Sequence, residues 1–83
     1  MLSIRVAVET DVPIIATIHE ASWRHAYRFM PEQLLQNRDR VFRIQQWLNW
    51  FKEDKASQHE ALYVIEDESQ IVGFCMCKPK RKE

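Results

Sequence analysis

Three histidines, two cysteines and a stripe of aromatic side chains are the residues in this 83-residue chain whose types invite chemistry. His19 and His25 lie six apart, about 120° around a helix, whereas two ligands of one metal on a helix sit at i,i+4. His59 falls in a polar stretch with no spacing partner. The histidines therefore read as structural, and no metal site is expected. Cys75 and Cys77 stand two apart in an apolar run, so on a strand both point to one face. With no other Cys or His close by in sequence, they read as buried, reduced strand residues. No serine stands in a strand-turn-helix elbow, and neither H-E-x-x-H nor a Gly-rich phosphate loop occurs. Gly73 is the only glycine. A backbone that wraps a phosphate uses several, which weighs against a nucleotide or coenzyme pyrophosphate site within these residues. What remains is aromatic. His19, Trp23 and Tyr27 recur at i, i+4, i+8, with Phe29 and Met30 just after. Core packing is the first reading of these residues on local grounds, and the rival is that four around a helix end (Trp23, Tyr27, Phe29, Met30) wall a pocket.

The elements that would position these residues follow from periodicity. Residues 3–8 are rich in β-branched side chains and predict a short strand. Thr10 or Asp11 is placed to cap the next helix, and Pro13 is tolerated in its first turn. From residue 12 to about 28 the pattern is helical, with Ile14, Ile15, Ile18, Ala21, Ser22 and Ala26 on one broad face. Thr17, Glu20, Arg24 and Arg28 fall opposite, Glu20 and Arg24 forming a favourable i,i+4 pair. The His19, Trp23, Tyr27 stripe runs along the edge of the apolar face. Pro31 ends this helix by pushing Met30 out of the helical region. A second, short helix runs to about residue 36, with Leu34 and Leu35 pointing one way. Val41, Ile44, Trp47, Leu48 and Phe51 share a face rotated well away from those leucines, so a break near residues 37–39 is expected. A longer helix follows to about residue 52, capped by Asn37 or Asp39. Residues 53–60 are polar and aperiodic, a loop. Two apolar runs, 61–66 and 71–77, joined by four polar residues, predict a β-hairpin. Both are apolar at nearly every position, a pattern that expects cover on both faces of the sheet.

Composition bounds the rest. A chain that is 46% hydrophobic with zero formal net charge is neither disordered nor drawn as a whole to nucleic acid or anionic lipid. The basic run in residues 78–82 reads as a solvated tail. No stretch approaches the roughly 20 apolar residues of a membrane span, and the N-terminus lacks a signal peptide's apolar run, so a cytoplasmic protein without membrane or nucleic-acid partners is expected. A chain of this length buries only about 60–65% of its unfolded surface, so its stability is thin.

Three segments together resemble a family. Arg5-Val6-Ala7 with Asp11 and Ile15 looks like the Ile-Arg-x-Ala…Asp…Ile opening of GCN5-related N-acetyltransferases (GNAT). Residues 19–31 contain His19, Ser22, Trp23, Ala26, Tyr27 and Pro31, and resemble the His-x-x-Ser-Trp-x-x-Ala-Tyr…Pro segment of one bacterial branch. Residues 64–67 with 71–74 resemble the hairpin of its second and third strands. The likeness runs to Met76. It implies an α+β, truncated GNAT-like fold: one strand, two to three helices, then a β-hairpin, giving a three-stranded antiparallel sheet. Residues 1–77 would be the N-terminal half of the acetyltransferase domain, with 78–83 a basic tail. The complete family uses acetyl-coenzyme A, bound by a Gly-rich loop and a strand splay that have no counterpart in this sequence. No cofactor is therefore expected for this chain alone, and no catalytic residue is placed. The resemblance puts Trp23, Tyr27, Phe29 and Met30 beside the acceptor amine's pocket. The rival expectation is a non-catalytic module that pairs, with itself as a homodimer or with a complementary polypeptide, through its exposed sheet edge.

Overall fold

A computed structural model describes residues 1–54 and 59–78; the basic tail beyond Lys78 and part of the 53–60 loop lie outside the described residues. The chain is α+β. Strand β1 (Leu2–Val6) leads through a 3-10 turn (Glu9–Asp11) into helices α1 (Val12–Ala26), α2 (Glu32–Gln36) and α3 (Arg40–Lys52), and then into strands β2 (Ala61–Asp67) and β3 (Gln70–Cys77). The sheet order is β1-β2-β3, antiparallel throughout. Asp39 caps α3, its carboxylate accepting from the Phe42 N–H at 2.9 Å. Asp11 occupies the N-cap position of α1 yet makes no cap bond to that helix. Its carboxylate turns back instead, to the Val8 N–H and to Arg5.

The hairpin turn is tighter than the spacing predicts. Asp67 pairs with Gln70, leaving only Glu68 and Ser69 in the turn, with φ of 50° and 72°. Two consecutive left-handed residues match the twist of the flanking strands, and the added ladder pair outweighs the roughly 1–2 kcal/mol each costs outside glycine. A register shift between Ile65 and Glu66 places Gly73 opposite Ile65 and Ile71 opposite Glu66, leaving Val72 as the extra residue.

Helices α1 and α3 cover one face of the sheet. Leu62 and Val64 of β2, paired with Met76 and Phe74 of β3, point toward them. Ala7, Val12, Ile15, Trp47, Leu62 and Val64 form the buried cluster, with Ile44, Leu48, Trp50, Phe51, Phe74 and Met76 among those packed around it. Helix α1 is turned from the expected face. Val12, Ile15 and Ala16 are buried, and His19 and Trp23 continue that line half-buried. Ile14, Ala21, Ser22 and Ala26 are exposed and Ile18 is only partly covered. Burying rings recovers more apolar area than burying Ala and Ser, so the ring-bearing edge stripe faces α3. The same rotation affects α3, where Arg43 and Trp47 are buried and Val41 is exposed. In α2 only Leu35 is buried; Leu34 faces out.

The opposite face of the sheet carries no helix among the described residues. Leu2, Ile4 and Val6 are 66%, 69% and 65% exposed, so this apolar surface lies open to water. Cys75 and Cys77 share it, both free and exposed rather than buried, because the covering layer lies on the other side. No helix is long and apolar enough to cross a membrane among the described residues.

Candidate functional site

Residue Arg43 lies one helical turn before Trp47, on the stripe of α3 that faces α1. An apolar residue is expected at such a position. The arginine is 5% exposed and makes no ion pair among the described residues. Nη1 donates to Gln46 Oε1 at 3.0 Å, and Nε, buried, has no acceptor among the described residues. Its Cζ lies 5.7 Å from the Trp23 ring and 5.4 Å from the Phe42 ring. Arg38, from the α2–α3 connection, stacks on the same Phe42 at 4.6 Å and donates to its neighbour's carbonyl, Asn37 O, at 3.4 Å. Trp23 in turn meets Tyr27 at 5.2 Å between centroids. The result is a continuous seam of Arg38, Phe42, Arg43, Trp23 and Tyr27 across the end of the helical layer.

Electrostatics mark the same spot. Burial, then the charge of Arg38, pushes the Arg43 guanidinium's pKa down, and Glu20 only partly counters this. Glu20 is already held by Arg24 at 3.4 Å, and Arg24 also holds Glu32 at 2.9 Å, tying α2 to α1. The seam therefore offers cationic donors and aromatic walls without a nucleophile or a carboxylate base.

The aromatic residues nominated from the sequence part company here. Trp23 and Tyr27 come together and are partly open to solvent, Tyr27 at 45%. Phe29 stands apart at 78% exposure with the Arg28 guanidinium over its ring, and no ring contact joins it to Trp23 or Tyr27 among the described residues. The Met30 N–H donates to the Tyr27 carbonyl at 2.9 Å, which closes the turn after α1. Arg43, Arg38, Phe42 and Gln46 were not singled out by sequence. The available signal was the charged residue at a core position of α3.

His19 packs between α1, α3 and the sheet. The Trp47 Nε1–H donates to His19 Nδ1 at 3.1 Å, which leaves the ring's proton on Nε2. Burial, reinforced by the nearby Arg43 charge, holds the His19 pKa below its ordinary value, so the imidazole is neutral. His25 and His59 are exposed, and no cluster of metal-ligating side chains occurs among the described residues. Below the seam, Gln46 also lines a cleft of about 170 Å³ with Trp47, Trp50 and Glu60. The Trp50 Nε1–H spans it to Glu60 Oε1 at 2.9 Å. No family model, no curated protein and no solved structure matches the chain.

Proposed function

We propose that these residues form the acceptor-side part of a GCN5-related N-acetyltransferase. In that reading, the acetyl-coenzyme A site is supplied by residues outside this sequence. The observation that carries it is the fate of the segment that holds the residues the resemblance sets beside the acceptor. Trp23 and Tyr27 end up side by side at the end of α1, half-open to water and against a cationic wall from α3. The order strand, helices, hairpin and the three-stranded antiparallel sheet support the reading. In a complete enzyme of this kind the free amine attacks the thioester carbonyl, and donors to the developing oxyanion lower the barrier. Alone, the 83 residues are expected to bind no acetyl-coenzyme A in calorimetric titration, and a micromolar dissociation constant would require a site of a different kind. The decisive observation is the reading frame beyond the codon for Glu83. A continuation with Arg/Gln-x-x-Gly-x-Gly/Ala supports the reading, and a frame lacking it overturns the reading.

A second reading is favoured by the uncovered sheet face. Leu2, Ile4 and Val6 lie open on it, and the outer edge of β3 has no partner strand among the described residues. A pairing module would cover them with a second chain. Light scattering over a dilution series separates the two readings: a well-folded monomer at low micromolar concentration removes the pairing reading.

A further inference from the structure

We infer that the cavity between the last turn of α3 and the start of β2 binds a methylated ammonium group, the head of a small choline-like cation. The cavity has a volume of about 150 Å³ and lies toward the other end of α3 from Phe42 and Arg43. Pockets for drug-sized molecules run to roughly 300–1,000 Å³, so this one takes a head group and not a whole cofactor. Trp50 and Phe51, in the last turn of α3, form two of its walls, with ring planes at 86° and centroids 4.9 Å apart. Ala7 and Leu62, both buried, close it on the core side. The charged residues on its lining are acidic, Glu60 and Asp54, and no basic residue lines it among the described residues. The carbonyl end of α3, the negative end of its dipole, falls at the same place.

Glu60 supplies the decisive charge. It is half-buried, and its Oε1 accepts the Trp50 Nε1–H at 2.9 Å, which fixes the carboxylate beside the aromatic wall. Oε2 accepts no hydrogen bond from the described residues, and Glu60 makes no ion pair with them. Lys78 lines the neighbouring cleft on which Glu60 also borders, but not this cavity. A cation within about 6 Å of a Trp or Phe ring centroid is attracted by the ring's negative face, and more strongly where water is excluded. The lining then selects among cations. A bare ammonium has three donors to satisfy, and a metal ion needs several oxygen ligands, whereas most of this lining is carbon. A methylated ammonium spreads its charge over carbon-bound hydrogens and gives up little hydration, so apolar walls and one carboxylate suffice. The inference goes beyond both functional readings and rests on neither.

The test is a titration of the full 83-residue chain with choline chloride, followed by the indole N–H resonances in proton–nitrogen spectra, against sodium chloride at equal ionic strength. The chain has three tryptophans, and the resonance missing from Trp50→Phe assigns the one that matters. Choline should move the Trp50 resonance saturably, with a dissociation constant of the order of a millimolar for so small a ligand. Its neutral isostere 3,3-dimethylbutan-1-ol and its unmethylated relative ethanolamine should each bind roughly tenfold more weakly. Glu60→Gln keeps an acceptor for the Trp50 indole and loses the charge, so the fold should stand and affinity for choline should fall roughly tenfold. Phe51→Leu keeps apolar bulk and removes one wall, and should weaken binding about threefold or more. Glu68→Gln, in the hairpin turn, should bind as the parent does. A Trp50 resonance that choline moves no further than sodium chloride does overturns the proposal. So does a neutral isostere or ethanolamine that binds as well as choline, or a Glu60→Gln variant of undiminished affinity. Should Phe51→Leu fail to fold, Glu60→Gln and the two analogues still decide. Neither coenzyme binding nor self-association is read out, so failure here leaves both functional readings untouched.

Discussion

Replacing Trp47 with alanine is expected to remove about 3–5 kcal/mol of folding free energy, the usual range for deleting a large buried ring. For an 83-residue chain the total is of the order of 4–12 kcal/mol, so this one change takes a quarter of it or more. Trp47 earns that weight by its position. It is 7% exposed and wedged between the helical layer and the sheet, with Phe74 at 5.5 Å, His19 at 5.8 Å and Trp50 at 6.4 Å between centroids. Its Nε1–H also has a fixed acceptor in His19 Nδ1. Alanine leaves a cavity where three elements meet and deprives a half-buried imidazole of its donor. Trp47→Phe keeps most of the ring area and loses only the hydrogen bond, so a cost near 1 kcal/mol is expected. Urea denaturation of the three chains measures both steps. An alanine variant within 1 kcal/mol of the parent would mean that α3 is not held to the sheet through this residue.

Much of the scaffold was legible because its signals are local. Pro31, Asp39 and the break between the leucine pair and the Trp47 stripe place the starts of α2 and α3 where the structure has them. The three strands likewise follow from β-branched and apolar runs bounded by polar residues. What local pattern could not settle was which side of each element faces inward. On α1 the run of Ile and Ala suggested one face, but the rings of His19 and Trp23 meet Trp47 and Arg43 across the helix pair. That choice depends on a partner helix roughly 25 residues away and leaves no mark in a window of α1. Arg43 was missed for the same reason. A charged residue on an apolar stripe is ordinarily assigned to solvent, and only the α1–α3 packing encloses it. The doubly apolar strands signalled cover on both faces, and the described residues supply one. Cys75, Cys77, Leu2 and Ile4 are therefore outward. The aromatic cluster was half legible: Trp23 and Tyr27 meet at their i,i+4 spacing, whereas Phe29 lies past the end of α1 and no longer follows the helix.

Asp11→Ala is expected to cost about 2–3 kcal/mol at neutral pH, the range for stranding a charged, hydrogen-bonded group. The carboxylate is 7% exposed and accepts three hydrogen bonds, two from Arg5 at 2.8 and 3.0 Å and one from the Val8 N–H at 2.8 Å. Arg5 continues to Glu66 at 3.0 Å, so Asp11 anchors an arginine that ties β1, the turn before α1 and β2 together. The Arg5 side chain retains 39% exposure and can return to water in the variant, which keeps the loss below that of a wholly buried ion pair. Arg5's hydrogen bonds hold the Asp11 pKa below its ordinary 3.8, against the opposing effect of burial. A carboxylate with a depressed folded pKa contributes stability that is present above 3.8 and lost as pH falls through the folded value. His19 acts at higher pH with the same sign. Its folded pKa lies below the ordinary 6.5, so the unfolded chain takes up a proton first and stability falls as pH drops below that value. Unfolding free energy measured from pH 8 to pH 2 should therefore decline in two stages. Asp11→Ala should lower the whole upper region and remove the second stage, so that its curve converges on the parent's at the acid end. His19→Gln, which keeps an acceptor for Trp47 and cannot titrate, should remove the first stage alone. A constant separation between Asp11→Ala and the parent down to pH 2 would show that the residue acts through packing and not through its charge.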